Sequence, residues 1–392
     1  MRQHLRGLRS LNGAFTRRLR PHTIAATPTA ASRQMTADFF DNPVDEAPTP
    51  VSGPAAWYGA DMAKRPDSWT HHLTDGHRAE LAAAVARVRD RDILSITEAE
   101  FPLPTLGPLL AAIRHETLHG RGFALIRGVP VADYSDREAA VAFWGIGTHL
   151  GEAVSQNGKG HVLGHVQDLG YDYSSPQARG YQTSARLPYH TDSSDLVCLL
   201  SLQTAKSGGL SSIVSSVTVF NEMLRSDPDL VRLLMRPVYR TRWGEIPEGK
   251  KPYSEIPVFN PFKGNVISTY VRSAIRKGQL LDGVPKLTPK HERAFDRIDE
   301  LANSEALHLD MEFARGDIQI LNNHQIMHSR TAYSDHDDLA IRRHLLRLWL
   351  ACADGPDLPP AMTSAYQGMT ESGRPNGIKV PGVPLNAPLT AE

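Results

Sequence analysis

His190-Thr191-Asp192, leading into the apolar run 196–200, constrains this chain more than any other stretch. On a β-strand, residues two apart project to one face, so a short strand can offer an imidazole and a carboxylate to a single ion. A second histidine from a distant strand completes a two-histidine, one-carboxylate set of the kind that suits Fe(II). His328, in His328-Ser-Arg-Thr-Ala-Tyr333, is such a histidine. Any fold that joins these groups must pair segments far apart in the chain, as jelly-rolls do.

His-x-Asp recurs at His308-Leu-Asp310 and at His336-Asp-Asp338, so context has to choose. His190 precedes a strand-length apolar run, whereas His336 lies in an acidic polar stretch that reads as a solvated turn. An ordered set of further motifs adds weight. Ser207-Gly-Gly-Leu-Ser211 follows the strand. Much later come Arg315-Gly-Asp-Ile-Gln-Ile-Leu-Asn-Asn-His324-Gln-Ile-Met-His328-Ser-Arg330 and then Arg342-Arg343-His-Leu-Leu-Arg347-Leu-Trp349. Together with Gly122-Phe-Ala-Leu-Ile-Arg-Gly-Val-Pro130, this order resembles the TauD/TfdA-like family of Fe(II)- and 2-oxoglutarate-dependent dioxygenases, over about residues 53–353.

The resemblance implies an α+β fold, with a double-stranded β-helix (jelly-roll, cupin-like) core, flanking α-helices and an insertion, 218–315, covering the site. It implies Fe(II) held by His190, Asp192 and His328, with 2-oxoglutarate as co-substrate and O2 as oxidant. The ion keeps positions for the ketone and carboxylate of the 2-oxo acid. The remote carboxylate suits a bidentate guanidinium, placed by the resemblance at Arg343, with the Ser211 hydroxyl beside it. The acidic loop 334–338 leaves Arg342 as a rival, and alternation along the strand favours Arg343, which shares a face with Arg347. The resemblance likewise selects His328 over His324 and reads His324 as a hydrogen-bonded neighbour. It points to Arg347, Arg186, Gln156 and Ser155 around a small substrate, and two guanidinium groups there imply an anionic one.

Composition narrows the rest. Lys plus Arg equals Asp plus Glu, 43 each, so no overall field draws the chain to nucleic acid or an anionic membrane surface. Two cysteines, Cys198 and Cys352, fit a reducing compartment, and no apolar run reaches a membrane span's length. Residues 1–37 are arginine-rich and reach their first acid only at Asp38. They read either as a mitochondrial transit peptide or as residues upstream of a start at Met35; a cytoplasmic protein is the base expectation.

The organisation expected is a basic extension and Pro-rich connector (1–52), a dioxygenase domain (53–365) and a C-terminal tail (366–392). Helices are expected at 74–89, from the Ser135-x-x-Glu138 capping box, and from Thr288-Pro289. Strands are expected at 123–127, 197–203, 318–322 and 343–350. The activity expected is hydroxylation, or a related C–H oxidation, of a small organic substrate, with self-association left open. The alternatives are a cupin-type metal protein without oxygen chemistry and a non-catalytic binding protein of the same fold.

Overall fold

The computed structural model describes residues 47–171, 180–247, 249–365 and 368–391, so the basic segment 1–37 lies outside the described residues. Strands run β1 (Thr70–His72), β2 (Phe123–Arg127), β3 (Glu152–Val154), β4 (Leu163–Gln167), β5 (Leu187–His190), β6 (Leu196–Gln203), β7 (Ser207–Gly208) and β8 (Ser211–Ser215). Then come β9 (Pro237–Thr241), β10 (Tyr253–Pro257), β11 (Phe259–Phe262), β12 (Asn265–Ser268) and β13 (His308–Met311). The last are β14 (Ile318–Asn322), β15 (Ile326–Arg330), β16 (Tyr333–Ser334) and β17 (His344–Ala351).

A seven-stranded sheet in the order β1-β2-β14-β6-β17-β3, with β4 also on β17, faces a four-stranded sheet in the order β13-β8-β15-β5. Apart from the parallel β1–β2 pair, their ladders are antiparallel and join strands remote in sequence, the expected jelly-roll.

Alternation sorts the large sheet's two faces. Cys198, Leu200, Ile318, Ile320, Leu346, Leu348 and Leu350 pack outward, against Leu81, Val85, Leu110, Ile113, Phe143 and Ile146. Those partners lie on helices Asp75–Val88, Leu106–His119 and Asp136–Leu150. Thr74 and Ser135 cap the first and third of these helices in capping boxes. Intervening residues of β17, among them Leu345, Arg347 and Trp349, face a chamber between the sheets.

The expected insertion builds its own core around Phe220, Phe259, Tyr270, Phe295 and Ile298 and closes one side of the chamber. Its helix Pro289–Ala302 starts behind Thr288 with proline in the first turn, as expected. Among the described residues, no helix is long and apolar enough to cross a membrane. Both cysteines are fully buried and free.

Asp195 ties the β6 end of the large sheet to the rest. Fully buried, it accepts from the Cys352 N–H at 2.9 Å, from His324 Nε2 at 2.7 Å and from Arg374 Nε at 2.8 Å. Burial opposes its charge, but His324 and Arg374 outweigh that and draw its pKa down to about 2. A carboxylate depressed in the folded state stabilises above its unfolded value, about 4, and stops doing so as pH falls through the folded value. Acid unfolding should therefore show a loss of stability between about pH 4 and about pH 2. Asp195→Asn should remove that step and cost about 3 kcal/mol in urea unfolding at pH 7, because the Arg374 guanidinium stays buried without its anion.

Candidate active site

β5 and β15 are paired so that His190 lies directly opposite His328, and their rings stand 4.2 Å apart. The strand expected to carry His190-Thr-Asp192 as one unit ends at His190. Asp192 leaves the ladder because other groups take its peptide. Its N–H donates to Asn323 Oδ1 at 2.6 Å, and the Asn323 amide donates back to the Asp192 carbonyl at 2.7 Å. Next to it the Thr191 N–H donates to the Tyr270 carbonyl at 2.8 Å, and the Tyr270 N–H to the Thr191 hydroxyl at 2.9 Å. This double clamp turns the carboxylate back toward both imidazoles.

Ligand-capable atoms of His190, Asp192 and His328 lie within 4.8 Å of one another, the one such cluster among the described residues. Asp192 Oδ1 is 3.9 Å from His190 Nε2, and Oδ2 is 3.7 Å from His328 Nε2. His190 Nδ1 sits 2.9 Å from the Pro188 carbonyl, which can only accept, so Nδ1 carries a proton and Nε2 is the atom turned toward Asp192. Burial, then the neighbouring His190, pulls the His328 pKa down to about 3 and keeps that ring neutral. Its buried Nδ1 has no hydrogen-bond partner among the described residues. Burial works against the Asp192 charge, but Arg347, His328 and His190, with the Trp349 indole N–H donating at 3.0 Å, hold its pKa below the usual range. Two imidazoles and an ionised carboxylate fit a divalent transition metal such as Fe(II).

Arg343 lies along the chamber wall, on the side expected from alternation. It is buried beside Arg330 over the Tyr333 ring, and burial, then Arg330, draws its pKa down to about 10, so it remains a cation. Its Nη1 has no hydrogen-bond partner among the described residues, and Asp335, which accepts from the Arg343 main-chain N–H, acts on the guanidinium only through its field. Gly209 has φ +72°, and a Cβ there would lie 2.9 Å from Arg343 Nε, so the Gly208-Gly209 pair makes room for the guanidinium. The Ser211 hydroxyl lines the same chamber and donates to Gln319 Oε1 at 2.9 Å. Arg342 points elsewhere, donating to the His336 carbonyl at 3.0 Å.

The expected substrate residues divide. Arg347 and Gln156 line the chamber and bind each other, Arg347 Nε donating to Gln156 Oε1 at 2.7 Å. Arg347 is also stacked between Tyr181 and Trp349, with Nη1 3.6 Å from Asp192 Oδ2. Ser155 and Arg186 do not reach the chamber. Ser155 turns its hydroxyl to the Asn157 carbonyl, opposite in direction to Gln156. Arg186 precedes β5 and is exposed, with its guanidinium on the Asn303 side chain. His324 sits on Asp195, away from Asp192.

The sequence reading missed Arg330, Trp349 and the insertion's Arg240, Arg242 and Lys277, all chamber-lining. Period-two spacing from His328 and from Arg347 would have reached the first two. The cavity measures about 420 Å³.

The sequence matches the family "Taurine catabolism dioxygenase TauD, TfdA family" over residues 89–349. It is 32% identical to FR-33289 synthase of Streptomyces rubellomurinus over 333 residues, covering 83% of this chain and 97% of that protein. Identity is 30% over 311 residues to the taurine hydroxylase-like protein SAT17 of Stachybotrys chartarum, covering 75% and 77%. In fold the chain is similar to asparagine oxygenase in complex with Fe(II), (2S,3S)-3-hydroxyasparagine and succinate (TM-score 0.56, 15% identity, 72% of this chain and 93% of that one).

Replacing His190, Asp192 or His328 by alanine should lower Fe(II) affinity at least about a hundred-fold, and Trp349→Phe about ten-fold, through loss of the hydrogen bond that orients the carboxylate. Anaerobic equilibrium dialysis reads this, with circular dichroism to confirm folding. His324→Ala should leave Fe(II) affinity unchanged; the reverse result for His324 and His328 would move the metal elsewhere.

Proposed function

Because the chain belongs to the TauD/TfdA family of Fe(II)- and 2-oxoglutarate-dependent dioxygenases, we propose that its chamber is the active site of such an enzyme acting on a small anionic substrate. The overall reaction converts substrate C–H, 2-oxoglutarate and O2 into the hydroxylated product, succinate and CO2. Fe(II), when bound, supplies the centre at which O2 is reduced and 2-oxoglutarate decarboxylated. His190, Asp192 and His328 would hold it. The alternatives without oxygen chemistry find no support in these relatives.

The observation that carries the reading is Arg343, a buried guanidinium with no salt-bridged carboxylate among the described residues, lining the same chamber as the metal-binding set. A buried cation without an anion is costly, so the pocket is built for an anionic guest. 2-Oxoglutarate supplies one carboxylate to the metal and a second, remote one for Arg343, with Ser211 alongside. Trp349 and the Asn323 clamp fix the Asp192 carboxylate. Gln156 fixes Arg347.

The substrate's charge is read from the opposite wall. Arg240, Arg242 and Lys277 line the chamber with Arg347, while the acids lining it are Asp192 and Glu245. Arg272 adds no net field, because Glu292, Asp296 and Asp299 surround it. This excess of cations over acids supports an anionic group on the substrate, held by charge-assisted hydrogen bonds.

Protein loaded anaerobically with Fe(II) and 2-oxoglutarate should release succinate on oxygen exposure. Release should rise with members of a panel of small carboxylates, sulfonates and phosphate monoesters, and less with neutral analogues. Arg343→Met should raise the KM for 2-oxoglutarate by at least about ten-fold. Arg240→Met and Lys277→Met should raise the substrate KM and spare that of 2-oxoglutarate. Neutral compounds outperforming every anion would defeat the anionic reading while leaving the oxygenase intact.

A further inference from the structure

Residues 368–391, set apart in the sequence as a tail, contain no helix or long strand, yet they are fastened to the fold along their length. Arg374 is buried and grips both oxygens of Asp195, while its Nη1 donates to the Pro356 carbonyl at 2.8 Å. Gly377 pairs with Ser155 in parallel, and the Ile378 N–H donates to the Ser155 carbonyl at 2.8 Å. Gly377 has φ +69°, and a Cβ there would lie 2.1 Å from the Ser155 oxygen, so only glycine permits the approach. Further on, the Val162 N–H donates to the Asn386 carbonyl at 2.9 Å, and His165 Nε2 donates to the Pro388 carbonyl at 2.9 Å.

The fastened segment reaches the chamber. Gly377 and Ile378 line it, and Ile378 packs on the cluster of Val154, Val197, Trp349 and Ala351. Trp349 in turn donates to Asp192.

We propose that segment 374–388 is a strap forming one wall of the substrate chamber, in which Ile378 is a specificity-determining residue and Arg374 the positioning residue that latches the strap. This rests on reading the chamber as the substrate site. The latch is assigned to Arg374 because Asp195 anchors it from beneath. The same carboxylate also holds the β17 end, through Cys352, and the turn before His328, through His324. The strap's other polar ties are hydrogen bonds to main-chain carbonyls or N–H groups, which open more readily than a buried ion pair, and Ile378 and Ala387 pack apolar side chains beside them.

Two measurements on the full chain test the strap. Across panel compounds turned over by the wild type, Ile378→Ala should shift kcat/KM toward bulkier members by about ten-fold and Ile378→Phe toward smaller ones, the scale of a methylene or more in an apolar pocket. The KM for 2-oxoglutarate should stay within about two-fold, since Ile378 lies off the Arg343 side. An unchanged ranking in both variants overturns the specificity role. In the second measurement, Ile378→Cys is treated anaerobically with a charged methanethiosulfonate reagent. The native thiols are buried and give little background. The introduced thiol, half-buried at the chamber wall, sets the reference rate, and adding Arg374→Met should speed it about ten-fold, with partial restoration by Arg374→Lys. No change in rate on breaking the latch overturns the strap. If no panel compound is turned over, the anionic-substrate reading fails and the labelling still decides the strap.

Discussion

The Asn323 carboxamide holds both the N–H and the C=O of Asp192, and the rest of the site depends on that clamp. It joins the loop after β5 to the turn between β14 and β15, which delivers His328. The register of β5 on β15 sets the two imidazoles opposite each other, tilted by 46°. Without the clamp the carboxylate would follow its strand. With it, Asp192 turns inward to a place where Trp349 and Arg347 can keep it charged.

The sequence made the scaffold legible wherever one physical rule acted alone. Strands 123–127 and 318–322 fall where their apolar runs place them, and the helices begin where Thr74, Ser135 and Thr288 cap them. Alternation put Leu345, Arg347 and Trp349 on one face of β17, and Arg343, just ahead of the strand, lines the same chamber despite a register shift between His344 and Leu345. The same rule misdirects at chain irregularities. Asp192 lies beyond its strand's end, Arg186 ahead of its start, and Ser155 back to back with Gln156. The basic wall of Arg240, Arg242 and Lys277 was hidden for another reason: it comes from the insertion, whose approach to the sheets is set by its own core.

Two buried arginines show how context changes the meaning of one side chain. Arg374 grips a buried carboxylate and is consumed by structure, whereas Arg343 lies over an aromatic ring beside another guanidinium, feels Asp335 only through its field and faces the open chamber. Gln156 shows a third use: its oxygen takes the Arg347 Nε–H while its nitrogen donates to the Val162 and Arg347 carbonyls, so a neutral amide helps to hold an arginine that is also stacked on two aromatic rings.

The burial of Cys198 and Cys352 bears on how long such a protein survives its own chemistry. Burial raises both thiols far above the range in which they ionise, and the thiolate is the form that oxidants attack. Cys198 stands on β6 facing the helices, on the opposite side of the sheet from the chamber. Neither sulfur therefore offers a route to sulfenic acid or to a crosslink between molecules. Oxidative wear at this centre falls instead on groups inside the chamber, foremost Trp349, whose indole lies against the Asp192 carboxylate.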